Sequence, residues 1–196
     1  MDNRQLPPQS LLDSLPESIT ADPSEPAPVH LWQPELSGEL DMRITRDGTW
    51  YHEGGPITRK SLAQLFSGIL RLDEDGRYYL VTPVERWAIK VDDVPFVAVR
   101  LAVEGQGSEQ RLTFTTSLGH SILAGEAHPI TVTTDAATGE PSPYVLVRSN
   151  LQALIHRNVF YELADLAVEE QVDGQPRVGV WSDGKFFPID GAPASA

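Results

Sequence analysis

Apolar and polar residues alternate over 40–44, the pattern of a half-buried strand. Arg46-Asp47-Gly48 then supplies turn chemistry, because glycine accepts the positive φ of a tight hairpin, and Thr49, Trp50 and Tyr51 favour the returning strand. Gly54, Gly55 and Pro56 close this hairpin, and the period changes. After Thr58, a good N-cap, Leu62, Leu65, Phe66, Ile69 and Leu70 recur at i, i+3, i+4 spacing, which predicts a helix over 59–72. Gly68 inside it costs about 1 kcal/mol relative to alanine. Asp75-Gly76 opens a second hairpin that pairs 78–82 with 87–91.

Asp92-Asp93-Val94-Pro95 interrupts the pattern and marks a domain boundary. Beyond it, runs rich in threonine, valine and isoleucine predict strands over 96–104, 109–116, 129–134 and 144–148, connected as an antiparallel meander. Val159, Phe160, Leu163, Leu166 and Ala167 form the apolar stripe of a second helix over 157–169. A last hairpin pairs 177–181 with 185–189 across Ser182-Asp183-Gly184. Prolines at 7, 8, 16, 23, 26, 28 and 34 keep most of the first 38 residues from regular structure, apart from a short helical turn expected over 10–15, where Leu11, Leu12 and Leu15 share a face, and with Trp32 and Leu36 to pin the end of this arm. The expected organisation is an acidic, proline-rich arm (1–38), an α+β domain (39–93), a second domain (94–190) and a short tail (191–196).

Two echoes run through this pattern. Asp-Gly precedes paired aromatics or their equivalents in DGTWY (47–51), DGRYY (75–79) and DGKFF (183–187). Ile57-x-Arg59-x-x-Leu62-x-x-Leu65 also aligns with Ile155-x-Arg157-x-x-Phe160-x-x-Leu163. Element order and helix pattern agree, so an internal duplication of a strand–helix–hairpin unit is expected.

Composition narrows the partners. In 196 residues, 40% are hydrophobic and 22% charged, enough to build one large or two small globular domains. The formal net charge of −13 repels phosphate backbones, and no lysine- or arginine-rich run offsets it, so no nucleic-acid partner is expected. A small anion would need a local basic pocket. The absence of cysteine excludes disulfides, thiolate zinc sites and cysteine nucleophiles. With no long apolar run and no basic, apolar leader pattern, a cytoplasmic location without a membrane span is expected.

Catalytic signatures are absent from the sequence. The histidines at 30, 52, 120, 128 and 156 lack close ligand spacing, and Ser117, Ser121 and Ser182 lack a nucleophile elbow. Gly105-Gln106-Gly107 lacks a third glycine and joins two strands, and the Asp92-Asp93 side chains would leave an extended strand on opposite faces. No metal, cofactor or catalytic residue is assigned.

Basic residues do open both helices, Arg59 with Lys60 and His156 with Arg157, where the helix dipole disfavours cations by up to about 1 kcal/mol. A local rule broken twice at equivalent positions points to an anionic ligand held by Arg59 and Arg157, with Arg148 as further charge. Trp50 and Tyr144 are the candidate stacking surfaces. The competing reading pairs the arginines with Asp92, Asp93 or Glu85 and leaves the aromatics to packing.

The segments DMRITRDGTWYHEGGPITRKSLAQLFSGILR, YYLVTPVERWAIKVDDVPFVA, PYVLVRSNLQALIHRNVFYELADLA and GVWSDGKFFPI resemble a bacterial family known as domain of unknown function 1285, over about residues 36–190. The resemblance implies two domains with repeated β and helix units, the second a pleckstrin-homology-like antiparallel barrel. It also implies a nucleotide-like ligand between the domains and a signalling role, with no established activity. The expected function is thus a cytoplasmic module sensing a small anionic, nucleotide-like ligand in an interdomain cleft. Two alternatives stand beside it: an enzyme acting on a phosphorylated or nucleotide substrate, and an adaptor that binds a protein partner through a sheet edge.

Overall fold

Fifteen strands and two nine-residue helices occur among the described residues, 11, 13–15, 26–135 and 138–191, of the computed structural model. The chain divides into two units, residues 1–95 and 96–196, and is mostly β in both. Residues 1–10, 12 and 16–25, most of the expected arm, lie outside the described residues.

In the N-terminal unit, β1 (Leu36–Ile44), β2 (Trp50–His52) and β3 (Gly55–Pro56) precede α1 (Lys60–Gly68), and β4 (Leu70–Leu72), β5 (Tyr78–Val81) and β6 (Arg86–Val91) follow it. They form one sheet in the order β3-β2-β1-β6-β5-β4, antiparallel except where β1 lies parallel to β6. The inward side chains Met42, Ile44, Trp50, Phe66, Leu70 and Leu80 are each no more than 2% exposed and make its core. Helix α1 is shorter than the spacing predicts. Ile57 N–H still bonds Trp50 O at 2.7 Å, so the hairpin runs on and Arg59, not Thr58, takes the N-cap position. At the other end Gly68 stops the helix, and Ile69 and Leu70 bury themselves in the sheet, with Val81 N–H donating to Ile69 O at 2.9 Å.

The Asp-Gly echoes resolve into two geometries. Gly48 (φ 82°) and Gly76 (φ 75°) close four-residue turns, donating to Thr45 O at 2.8 Å and Asp73 O at 3.0 Å. In both, the preceding aspartate accepts the N–H two residues on, Asp47 from Thr49 at 3.0 Å and Asp75 from Arg77 at 2.9 Å. Asp183 (φ 49°) and Gly184 (φ 73°) instead make a two-residue hairpin turn with both centres left-handed.

Residues 27–32 of the expected arm are docked. Ala27 N–H bonds Gly68 O at 2.9 Å, and Val29 and Trp32 pack on Tyr79, Val81 and Ala88. Arg71 Nη1 donates to Val29 O at 2.9 Å and to Trp32 O at 2.7 Å, while its guanidinium pairs with Asp73, which also takes Arg86 at 3.1 Å. Leu36 is not part of this anchor: it begins β1 and is 48% exposed.

The C-terminal unit begins with β7 (Phe96–Glu104), β8 (Arg111–Thr116), β9 (Ser121–Leu123), β10 (Ile130–Thr134), β11 (Pro141–Arg148) and β12 (Leu151–Ile155). Their sheet runs β10-β11-β12-β7-β8-β9, again antiparallel except for one pair, β12 with β7. The expected all-antiparallel meander therefore breaks at its centre. Helix α2 (Arg157–Asp165) packs on β7 and ends four residues earlier than predicted; Val168–Val172 becomes β13, an outer strand of a second sheet with β14 (Gln175–Ser182) and β15 (Lys185–Pro188). A buried hydroxyl joins the two sheets. Ser182 Oγ donates to Ala124 O at 2.7 Å and accepts from Leu112 N–H at 3.0 Å, and Gln110 Nε2 donates to Trp181 O at 2.9 Å.

Candidate functional site

In the C-terminal unit, three neighbouring parts of one sheet bring a cation, an aromatic ring and an imidazole together. Phe96 opens β7 directly after Pro95 and pairs with Ala153 of β12. Two strands away, β11 ends at Arg148, where the register slips between Leu146 and Arg148 before Ser149 turns the chain at φ 47°. On the other side of β7, the β8–β9 turn presents His120, held by Thr116 Oγ1 accepting its N–H at 3.0 Å. The preceding Ser117 N–H bonds Val97 O at 2.9 Å, which ties this turn to β7.

The geometry centres on the Phe96 ring, which is 1% exposed. Arg148 Cζ lies over its face, 5.2 Å from the centroid, within reach of a cation–π interaction. The His120 ring meets it edge-on, with centroids 5.2 Å apart and planes at 80°. Both polar groups give up water. Burial lowers Arg148 from the usual arginine range to about 10, which leaves it a cation at neutral pH. Burial, and then the Arg148 charge, push His120 down to about 4, so its imidazole is neutral at pH 7.

His120 Nε2 is buried and has no hydrogen-bond partner. An unsatisfied buried nitrogen costs about 1–3 kcal/mol. A planar guanidinium on an apolar ring, beside an uncommitted imidazole nitrogen, is suited to a compact oxyanion that accepts hydrogen bonds from both. Such an anion would also offset the Arg148 charge, which after burial is the second influence against protonating His120.

The sequence-derived candidates fall differently. Arg148 belongs to this cluster. Arg157, the first residue of α2, is exposed, and the start of that helix is capped by His156 Nδ1 accepting from Asn158 N–H at 3.4 Å. Tyr144 lies on β11 but is only 8% exposed. Arg59 and Trp50 belong to the N-terminal unit. Arg59 is exposed and makes no side-chain cap bond to α1, and Trp50 is 2% exposed with its ring on Phe66, centroids 6.3 Å apart. Neither indole nor phenol offers an open face for a base. Asp92 and Asp93, the alternative arginine partners, pair with Arg43 at 2.8 Å and Arg46 at 3.3 Å. Phe96 and His120 were absent from the sequence-derived set, since their meeting depends on strand neighbours far apart in the chain.

Among the described residues no group of three or more His, Asp or Glu could hold a metal ion, and no helix is long and apolar enough to cross a membrane. Family models match both units: "Domain of unknown function (DUF1285), N-terminal domain" over residues 27–94, and "Protein of unknown function (DUF1285), C-terminal domain" over 95–189. A crystal structure of a DUF1285 family protein from Silicibacter pomeroyi DSS-3 is 56% identical, with a TM-score of 0.77 covering 84% of this chain and 87% of that one. Another, from Shewanella baltica OS155, is 24% identical at a TM-score of 0.50, covering 64% of this chain and 91% of that one, and shows likeness of fold. No curated protein matches the chain.

Proposed function

This chain belongs to the DUF1285 family through both of its domains, and we propose that its C-terminal unit binds a small oxyanion of phosphate or nucleotide-phosphate type at Arg148. The observation that carries the reading is the pairing on Phe96: a guanidinium over the ring face and a neutral imidazole at its edge, whose Nε2 is buried without a partner. The guanidinium supplies charge and a planar fork of donors, and His120 supplies a second donor from another direction.

Binding is favoured over catalysis. A histidine working as general acid or base titrates near the operating pH, and His120 is held near 4. The proposed role is a cytoplasmic sensing module, with the ligand as its signal. The internal duplication belongs to the same proposal: three strands, a helix and three strands recur as β1–β3, α1, β4–β6 and β10–β12, α2, β13–β15. A pleckstrin-type architecture for the C-terminal unit is supported by a six-stranded, largely antiparallel sheet followed directly by a helix.

Thermal melting against inorganic phosphate, nucleoside monophosphates and nucleoside diphosphates tests the reading. A ligand at a hundred times its dissociation constant adds about 2.7 kcal/mol, or roughly 5–10 °C in a chain of this size. The shift is expected in the wild type and lost in Arg148→Gln. No shift with any phosphate compound, or an equal shift in the variant, would sink the proposal.

A further inference from the structure

Strand β2 carries two further buried nitrogens, in the N-terminal unit. Trp50 and His52 sit two residues apart on it, so their side chains leave the same face. Both are enclosed, at 2% and 4% exposure, and neither Trp50 Nε1 nor His52 Nδ1 has a hydrogen-bond partner. Ile44 is the cross-strand partner of Trp50, Met42 is that of His52, and Phe66 of α1 stacks on the indole. All three side chains are apolar.

We infer that Trp50 Nε1 and His52 Nδ1 form an enclosed two-point site for one small, uncharged, hydrogen-bonding molecule, occupied by a single water. Each restriction has a physical source. An ion would lose its hydration against Met42, Ile44 and Phe66 with no counter-charge to replace it. A larger organic guest has no opening where the side chains are this enclosed. The indole N–H only donates, so the guest must accept there. It then donates to His52 Nδ1, which places the histidine proton on Nε2. Trp50 and His52 leave the same face of β2, so one water that accepts from the indole N–H and donates to the imidazole would satisfy both nitrogens.

The test is solution NMR on the full chain, labelled with ¹⁵N, with Trp50→Phe used to assign the indole resonance. The expected result is a cross-peak between the Trp50 indole proton and water, with the sign of a long-lived bound molecule. His52 Nδ1 should show the ¹⁵N shift of an unprotonated acceptor. His52→Leu removes one of the two points and should abolish the water cross-peak. Should that variant not fold, the two wild-type observations decide alone. A missing cross-peak, a protonated Nδ1, or a cross-peak that survives in folded His52→Leu overturns the inference.

Discussion

His120 makes folding stability depend on pH in a defined window. Its folded pKa is pushed down to about 4 from an ordinary 6.5, so between those values the unfolded chain binds the proton and the folded chain does not. Stability is therefore fully present above about pH 6.5 and is lost as the pH falls toward 4. At about pH 5 the full shift would cost about 2 kcal/mol, and screening of the partly exposed ring reduces this to about 1–2 kcal/mol. Glutamine at position 120 keeps a polar side chain but does not titrate. Urea unfolding of wild type and His120→Gln at about pH 7.5 and pH 5 isolates the contribution, because the carboxylates and the remaining histidines are common to both. The wild type should lose about 1–2 kcal/mol more than the variant over this interval. Equal losses would refute the reasoning, since they would mean that His120 protonates freely in the folded state and that neither burial nor Arg148 acts on it.

The other predictions concern the anchor, the sheet junction and the helix starts. Arg71→Met keeps the aliphatic stem but removes the donors to Val29 O and Trp32 O and the pairing with Asp73. It should cost about 1–3 kcal/mol and speed proteolytic cleavage around residues 26–35, and an unchanged cleavage pattern would contradict the clamp. Ser182→Ala strips both bonds from a fully buried hydroxyl. A loss of about 2 kcal/mol or more in urea unfolding is expected, and a loss under about 0.5 kcal/mol would mean that the junction does not depend on it. Arg59→Ala and Arg157→Ala remove exposed cations at the two helix starts. Each should leave stability within about 0.5 kcal/mol and keep any phosphate-induced melting shift, whereas loss of that shift would move the site away from Arg148.

Strands and turns were legible in the sequence because their signals are local. Residues 96–104 are rich in valine and bounded by turn residues, and β7 occupies that same range. The three Asp-Gly pairs did mark turns, although the two geometries depend on how many residues separate the flanking strands. Helix ends were less legible. Ile69 and Leu70 satisfy a helical period and a strand equally well, and the choice is made by β5, whose Val81 N–H takes the Ile69 carbonyl. The parallel pairs β1·β6 and β7·β12 leave no local trace, because they depend on where the whole intervening chain returns. The site inherits that difficulty. Arg148 could be named from its charge, but Phe96 and His120 reach it only because β7 lies between β12 and β8. Trp50 reads in sequence equally as a stacking surface or as packing, and its burial follows from the packing of α1 on β2.

The central claim, an oxyanion site on Arg148 and His120, is tested most directly by following the His120 imidazole by NMR through a pH titration with and without inorganic phosphate, at ionic strength matched with chloride. An anion seated between the two groups offsets the Arg148 charge and accepts a hydrogen bond from the imidazole, both of which favour its protonated form. The His120 midpoint should rise from about 4 toward the ordinary histidine range as phosphate saturates, and the rise should be absent in Arg148→Gln. A midpoint that stays near 4 at every phosphate concentration would contradict the account.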